Sequence, residues 1–285
     1  MQQITVISGK GGTGKTTVVA NLAALAEQAV LADCDVDAPN LHLLLKPSTS
    51  RERVFKGGKL AVKQEEQCKH CGRCLAVCRF AAITDDYRIN PFKCEGCGVC
   101  VYICPTKALE LQEEETGTIY TSQSLYGPMI HAKLKTGADN SGKLVSAVRK
   151  EAEQSAAETG RGLLLIDGSP GIGCPVIASL NGVDLALIVT EPTRSGCSDL
   201  KRILAVAGHF SIPALVVINK DDLNQAISLE IEGHCQKGKW PVIGRIPFDP
   251  LVNQALHVGQ LLVESYPESK PGRAIKDIWA KLSNF

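Results

Sequence analysis

Two groups of residues have types and spacings suited to chemistry. Near the N-terminus, Gly9-Lys10-Gly11-Gly12-Thr13-Gly14-Lys15-Thr16 lies between the β-branched run Ile4-Thr5-Val6-Ile7 and an Ala/Leu-rich stretch from Val18 to Gln28. This fits G-x-x-x-x-G-K-[ST] in a strand–loop–helix setting. Its glycines let backbone N–H groups close around phosphate oxygens, and Lys15 neutralises phosphate charge. Thr16 offers its hydroxyl to Mg²⁺, and the helix that starts there presents the positive end of its dipole. Farther along, Cys68-x₂-Cys71-x₂-Cys74-x₃-Cys78 recurs as Cys94-x₂-Cys97-x₂-Cys100-x₃-Cys104-Pro105. Such spacing folds three thiolates around one metal centre and leaves the fourth for another. Zinc also uses C-x₂-C pairs, but three cysteines per run followed by x₃-C is not the spacing of a zinc ribbon.

These loops need a frame, and the apolar runs supply one. Ala29 to Ala32, Gly162 to Ile166, Val183 to Val189 and Pro213 to Ile218 are nearly continuous apolar segments bounded by turn residues. That is the pattern of strands covered on both faces. Helical stretches at Asn140 to Glu158, Ser198 to Ala207 and Ala226 to His234 separate them. The predicted fold class is therefore α/β, a mostly parallel sheet wrapped by helices. Between about residues 57 and 115 the alternation stops and the cysteine repeat takes its place. The expected organisation is a discontinuous domain, 1–57 and 116–285, interrupted by a small α+β domain at 58–115. Gly57-Gly58 is the expected hinge, and a hairpin within 116–136 returns the chain.

Composition narrows the function. The 285 residues carry 31 Lys+Arg and 30 Asp+Glu, a formal net charge of +1. No nucleic-acid partner is expected, because a general binder carries a large basic excess. No apolar run reaches the roughly 18 to 20 residues that span a bilayer, and the first residues lack signal-peptide organisation. The expectation is a cytoplasmic protein with no membrane partner, in which twelve cysteines are not disulfides.

The K-G-G-T-G-K-T-T form of the loop resembles the deviant Walker A of the MinD/ParA group of P-loop ATPases, which includes the nitrogenase iron protein and the Mrp-type ATPases. The resemblance implies ATP as ligand, with Gly11, Gly12, Thr13, Gly14, Lys15, Thr16 and Thr17 at its phosphates. It also implies that Lys10 reaches across a nucleotide-dependent homodimer to the partner's phosphates. Asp33-Cys34-Asp35 resembles switch I, with Asp33 serving Mg²⁺ through its water and Asp35 orienting the attacking water. Leu163 to Gly171 resembles Walker B and switch II, with Asp167 near Mg²⁺ and the Gly168 amide at the γ-phosphate. Asn219 resembles the purine contact, and Pro247, in Ile246-Pro247-Phe248-Asp249-Pro250, the loop that packs on the base. Asn219-Lys220-x-Asp222 also fits the guanine-reading N-K-x-D, so GTP stays open beside ATP.

The cysteine runs resemble the two-cluster bacterial ferredoxin. That resemblance implies one 4Fe–4S cluster on Cys68, Cys71, Cys74 and Cys104, and a second on Cys94, Cys97, Cys100 and Cys78. Arg79 stands where the pattern has a second proline. Cys34, Cys174, Cys197 and Cys235 fall outside it and are expected to be structural thiols, although Cys174 lies where the nitrogenase iron protein has a bridging-cluster ligand. As a whole the chain resembles MinD-superfamily ATPases of the CobQ/CbiA nucleotide-binding type, with an inserted ferredoxin domain. Three functions follow from the resemblance: an ATPase coupled to electron transfer with an unknown redox partner, an iron–sulfur carrier or maturation factor with an unknown client, and a positioning ATPase that senses redox state. The C-terminal amphipathic stretch from Ala274 to Leu282 is expected to pack on the core rather than on a membrane.

Overall fold

The computed structural model describes residues 1–138 and 141–285. Among the described residues nine strands form one sheet: β1 (Gln2–Ser8), β2 (Ala29–Asp33), β3 (Ser48–Lys63), β4 (Leu109–Ser124), β5 (Gly127–Leu134), β6 (Leu163–Pro170), β7 (Leu185–Thr190), β8 (Ala214–Asn219) and β9 (Val242–Ile246). Their order across the sheet is β3-β4-β5-β2-β6-β1-β7-β8-β9. From β5 to β9 neighbours are parallel, while β3, β4 and β5 form an antiparallel meander at one edge. The expected hairpin is the β4–β5 turn. The mostly parallel sheet matches the expected fold class.

The helices of the first half are α1 (Lys15–Leu25), α2 (Leu41–Leu45), α3 (Arg73–Val77) and α4 (Val99–Ile103). Those of the second half are α5 (Ser141–Thr159), α6 (Cys174–Leu180), α7 (Arg194–His209), α8 (Gln225–Lys237), α9 (Pro250–His257), α10 (Leu262–Ser265) and α11 (Lys270–Leu282). Asn140, the predicted start of α5, lies outside the described residues. Successive strand side chains alternate between two apolar layers. Val30, Ala32, Leu164 and Ile166 face α5 to α8, whereas Ala29, Leu31 and Leu165 face α1, α2, α10 and α11. In α11, Ile275, Ile278 and Leu282 are buried in the second layer, so the C-terminal amphipathic face packs on the core. Among the described residues no helix is long and apolar enough to cross a membrane.

Residues 58–115 do not hang from a glycine hinge. β3 and β4 run as one antiparallel ribbon from Ser48↔Gln123 to Lys63↔Leu109, through the Gly57-Gly58 pair. Gly57 is the extra residue of a bulge between Lys56↔Glu115 and Gly58↔Glu114, and its N–H donates to Thr116 Oγ1 at 3.1 Å. A glycine pair reads as a turn in sequence, but an unpaired residue within a paired ribbon meets the same backbone demand. The far end of the ribbon carries α3, α4 and the eight repeat cysteines.

Candidate functional site

The C-terminal ends of β1, β2, β6, β8 and β9 border one open cleft of about 640 Å³, within the size range of small-ligand sites. Its floor is the loop between β1 and α1, and Gly11 to Thr17 all line it. Gly14 is the N-cap of α1 at φ 88°. A Cβ there would sit 2.3 Å from Asn219 Nδ2, so side-chain volume and backbone angle both require glycine. Asn219 Nδ2 donates to Thr13 O at 2.8 Å, which ties the loop to the end of β8. The first amides of α1 are thereby aimed into the cleft, the arrangement that suits phosphate oxygens.

Lys15 is almost fully buried and ion-paired with Asp167, with Asp35 Oδ2 at 3.9 Å. Burial alone would lower the Lys15 pKa; Asp167, Asp35 and Asp33 outweigh it and hold the amine protonated. Asp33 and Asp167 are opposite one another in the β2–β6 register and both fully buried. Asp33 accepts from the N–H groups of Asp35 and Leu41, each at 3.1 Å, so it shapes the loop that presents Asp35. Burial and the nearby Asp167 push the Asp33 carboxyl up to about 8, against the pull of Lys15 and those two amides. One oxygen of Asp167, Oδ2, is buried with no hydrogen-bond partner. An unsatisfied carboxylate oxygen beside Asp33 is the kind of acceptor that the water shell of a nucleotide's Mg²⁺ would satisfy.

Some residues singled out in sequence stand elsewhere. Lys10 is absent from the cleft walls: its Nζ lies 2.6 Å from Glu191 Oε1 and donates to Ser195 Oγ at 2.9 Å. Glu191 also pairs with Lys220 at 3.4 Å, and the two lysines overcome its burial to hold its carboxyl below the usual range. Ser169 and Pro170 line the cleft, while Gly168 faces Ile7 and Thr5 behind it. Ile246 is a wall but Pro247 is not. Asp222 accepts from Phe248 N–H at 2.7 Å and is not among the residues that line the cleft.

Sequence reasoning missed the far wall, formed by Val252, Asn253 and Leu256 of α9. The available signal was Asp249-Pro250, an N-cap followed by proline at N1, which marks a helix beginning just beyond the Ile246 strand. It also missed a row of side chains across the sheet. Tyr120, His131, Asp33 and Asp167 are register partners on β4, β5, β2 and β6. Tyr120 stacks on His131 with ring centroids 4.9 Å apart, and His131 stacks on His42 of α2 at 5.1 Å.

At the other end of the ribbon the two cysteine quartets are sorted into separate cavities. Cys68, Cys71, Cys74 and Cys104 line one, and Cys78, Cys94, Cys97 and Cys100 line the other. Each run turns through a glycine at φ 77°, Gly72 or Gly98, into α3 or α4. Among the described residues no three His, Cys, Asp or Glu side chains are placed to hold a single metal ion. The thiolates of a cubane bind different irons, so they stand farther apart than the ligands of one ion. Burial would push the Cys104 thiol up; the Thr106 hydroxyl and the amides of Thr106, Ala108 and Leu109 outweigh it and hold the thiol below its usual range. Cys34, by contrast, is fully buried and, mainly for that reason, driven far up, which leaves it an inert thiol.

Comparison with known proteins agrees with the cleft. Residues 4–263 match the CobQ/CobB/MinD/ParA nucleotide binding domain. An uncharacterized protein of Methanocaldococcus jannaschii is 36% identical over 291 residues, covering 100% of this chain and 98% of that one. An iron-sulfur cluster carrier protein of Aquifex aeolicus is 26% identical, covering 98% of this chain and 66% of that one. Among solved structures, the cell division ATPase MinD of Pyrococcus furiosus superposes with a TM-score of 0.60 at 21% identity, covering 99% of this chain and 98% of that one. MinD of Pyrococcus horikoshii, complexed with Mg-ADP, gives 0.60 at 20% identity, covering 99% and 95%.

Proposed function

The chain belongs to the CobQ/CobB/MinD/ParA nucleotide-binding family of P-loop ATPases, and from that premise we propose that it hydrolyses ATP and that its nucleotide state governs electron transfer through two 4Fe–4S clusters held by residues 58–115. Lys15 leaves Asp167 to neutralise the β- and γ-phosphates. Thr16, with Asp33 and Asp167 acting through water, holds Mg²⁺, and Asp35 orients the attacking water. Phosphoryl transfer requires this positioning and charge neutralisation rather than a strong base. Lys10 exchanges Glu191 for the phosphates of a partner copy in a nucleotide-dependent homodimer. Clusters held by the two cysteine quartets would supply one-electron chemistry. What supports this reading is that the eight repeat cysteines line two cavities, four in each.

The observation that carries the coupling is the register row Tyr120–His131–Asp33–Asp167. Its first member lies on the ribbon that ends at the cysteines. Its last two are the carboxylates beside Lys15. His131 also stacks on α2, whose first residue, Leu41, hydrogen-bonds Asp33. A change at Asp33 when Mg–ATP arrives therefore has a packed, stacked route to the ribbon.

A second reading, an iron–sulfur cluster carrier, is favoured by the Aquifex aeolicus relative. Against it, no C-x-x-C pair occurs outside the two quartets to hold a transferable cluster between protomers. The test is anaerobic purification followed by iron, sulfide and ATPase assays. The proposal expects about eight irons per chain that stay bound during ATP turnover beside an apo-acceptor. Irons that pass to the acceptor would support the carrier instead.

A further inference from the structure

The two cysteine cavities are copies of one design offset by 26 residues, and the copies differ in charge. Cys68, Cys71, Cys74 and Cys104 have Cys94, Cys97, Cys100 and Cys78 as equivalents, and the other walls correspond in the same way. Three equivalent wall positions decide the difference. Lys63 on the first cavity is replaced by Ile89 on the second, Lys69 by Glu95, and Arg73 by Val99. The first cavity thus has three cations on its walls, and the second has one carboxylate on an otherwise apolar wall. Glu65 pairs with Lys63 at 2.7 Å and offsets part of that charge, which leaves Lys69 and Arg73. Arg79, where the other half has Pro105, is not on the walls of the second cavity.

Hydrogen bonding to sulfur differs in the same sense. Thr106 places its hydroxyl 3.7 Å from Cys104 Sγ, whereas the equivalent position beside Cys78 is Phe80. Cys78 Sγ accepts from the Ala82 N–H at 3.4 Å. Adding an electron to a cubane adds negative charge. Nearby cations and donors to sulfur favour that step, and apolar walls and carboxylates oppose it.

We propose that the two sites are redox-inequivalent, with the quartet Cys68, Cys71, Cys74 and Cys104 taking the first electron and the quartet Cys94, Cys97, Cys100 and Cys78 held at lower potential by Ile89, Glu95 and Val99. This rests on the reading that each quartet holds a cubane. Each site exchanges one electron, with no proton or ligand transferred, and the donor is a low-potential one-electron reductant. An electron that enters at the second site runs downhill to the first, so the charge pattern gives the pair a direction.

The test is an anaerobic potentiometric titration, with dithionite as reductant, followed by EPR on the full chain. The unmodified protein titrates in two resolved steps. Lys69→Glu moves the upper step to lower potential and leaves the lower one in place. Glu95→Lys moves the lower step up and leaves the upper one, and the double exchange closes the gap. Both substituted side chains are exposed, so folding is spared. About eight irons per chain with one shared midpoint, or single substitutions that move both steps equally, overturn the inference alone. A chain that binds no sulfide overturns the cluster reading and the inference with it.

Discussion

The nucleotide-binding body and the cysteine-bearing insert are built on different balances of forces. In the body the sheet buries an apolar layer on each face, and fully buried residues such as Leu31, Ile130, Leu164 and Ile166 run through its centre. In the insert, only Ala61, Ala82, Ile83, Ala108 and Leu109 are buried apolar residues. α3 and α4 bury none of their residues, and Phe92 and Tyr102 are 85% and 94% exposed. So little burial cannot offset the entropy of ordering a segment of this size. The body folds on its apolar layers; the insert has its ribbon and little apolar core of its own.

The sharpest way to break that contrast is to remove iron. Chelation under reducing conditions should release the insert to proteolysis and hydrogen exchange while β1, β6 and β7 keep their protection, because metal-ligand bonds replace a core in small domains. Equal protection of the insert with and without iron would mean that it holds itself. Changes in the body should do the reverse. Lys15→Ala should weaken Mg–ATP binding by about 3 kcal/mol or more, roughly a hundredfold, with iron content unchanged; calorimetry and an iron assay check both. Asp35→Ala should retain binding and lower turnover by about 10²–10³-fold, the usual cost of losing a group that acts on the reacting atoms.

Between the two regions lies His131, and a smaller effect sharpens its role. Burial, with a contribution from His42, lowers its pKa to about 4. Between that value and the ordinary histidine value the unfolded chain binds the extra proton. Stability should therefore fall as pH drops through this window, by at most about 3 kcal/mol. His131→Phe should flatten that part of the denaturation-versus-pH curve while keeping the stack on Tyr120. The smallest expected change is at a helix end far from both sites. Ser269 caps α11 by accepting from Gly272 N–H at 3.1 Å, and Ser269→Ala should cost about 1 kcal/mol in chemical denaturation without affecting ATP or iron binding.

How much was legible in sequence follows from the kind of constraint. The loop from Gly9 to Thr17 could be read because phosphate geometry imposes a backbone spacing on consecutive residues. The cysteine runs were legible as a repeat of consecutive spacings, while the exchange of their fourth members came from the ferredoxin resemblance and agrees with the two cavities. The parallel sheet was legible because strands covered on both faces stay apolar throughout. The rest depends on contacts between distant residues. Nothing near Lys10 marks Glu191 as its partner, since 181 residues separate them. Asp222 satisfies N-K-x-D in spacing, but nothing in the sequence shows that it accepts from the Phe248 amide, and α9 closes the cleft from 240 residues beyond Thr13. The ribbon through Gly57 was hidden because a bulge and a hinge ask the same thing of a glycine.

The central claim is that nucleotide bound at Lys15 is felt at the cysteine quartets. The most direct measurement is EPR of the reduced, iron-loaded protein with and without saturating Mg–ATP, with the midpoint potentials measured in both states. With Mg–ATP the line shape should change and the midpoints should shift, and Lys15→Ala should show neither change. Superimposable spectra and equal midpoints, in protein shown by calorimetry to be saturated with nucleotide, would contradict it.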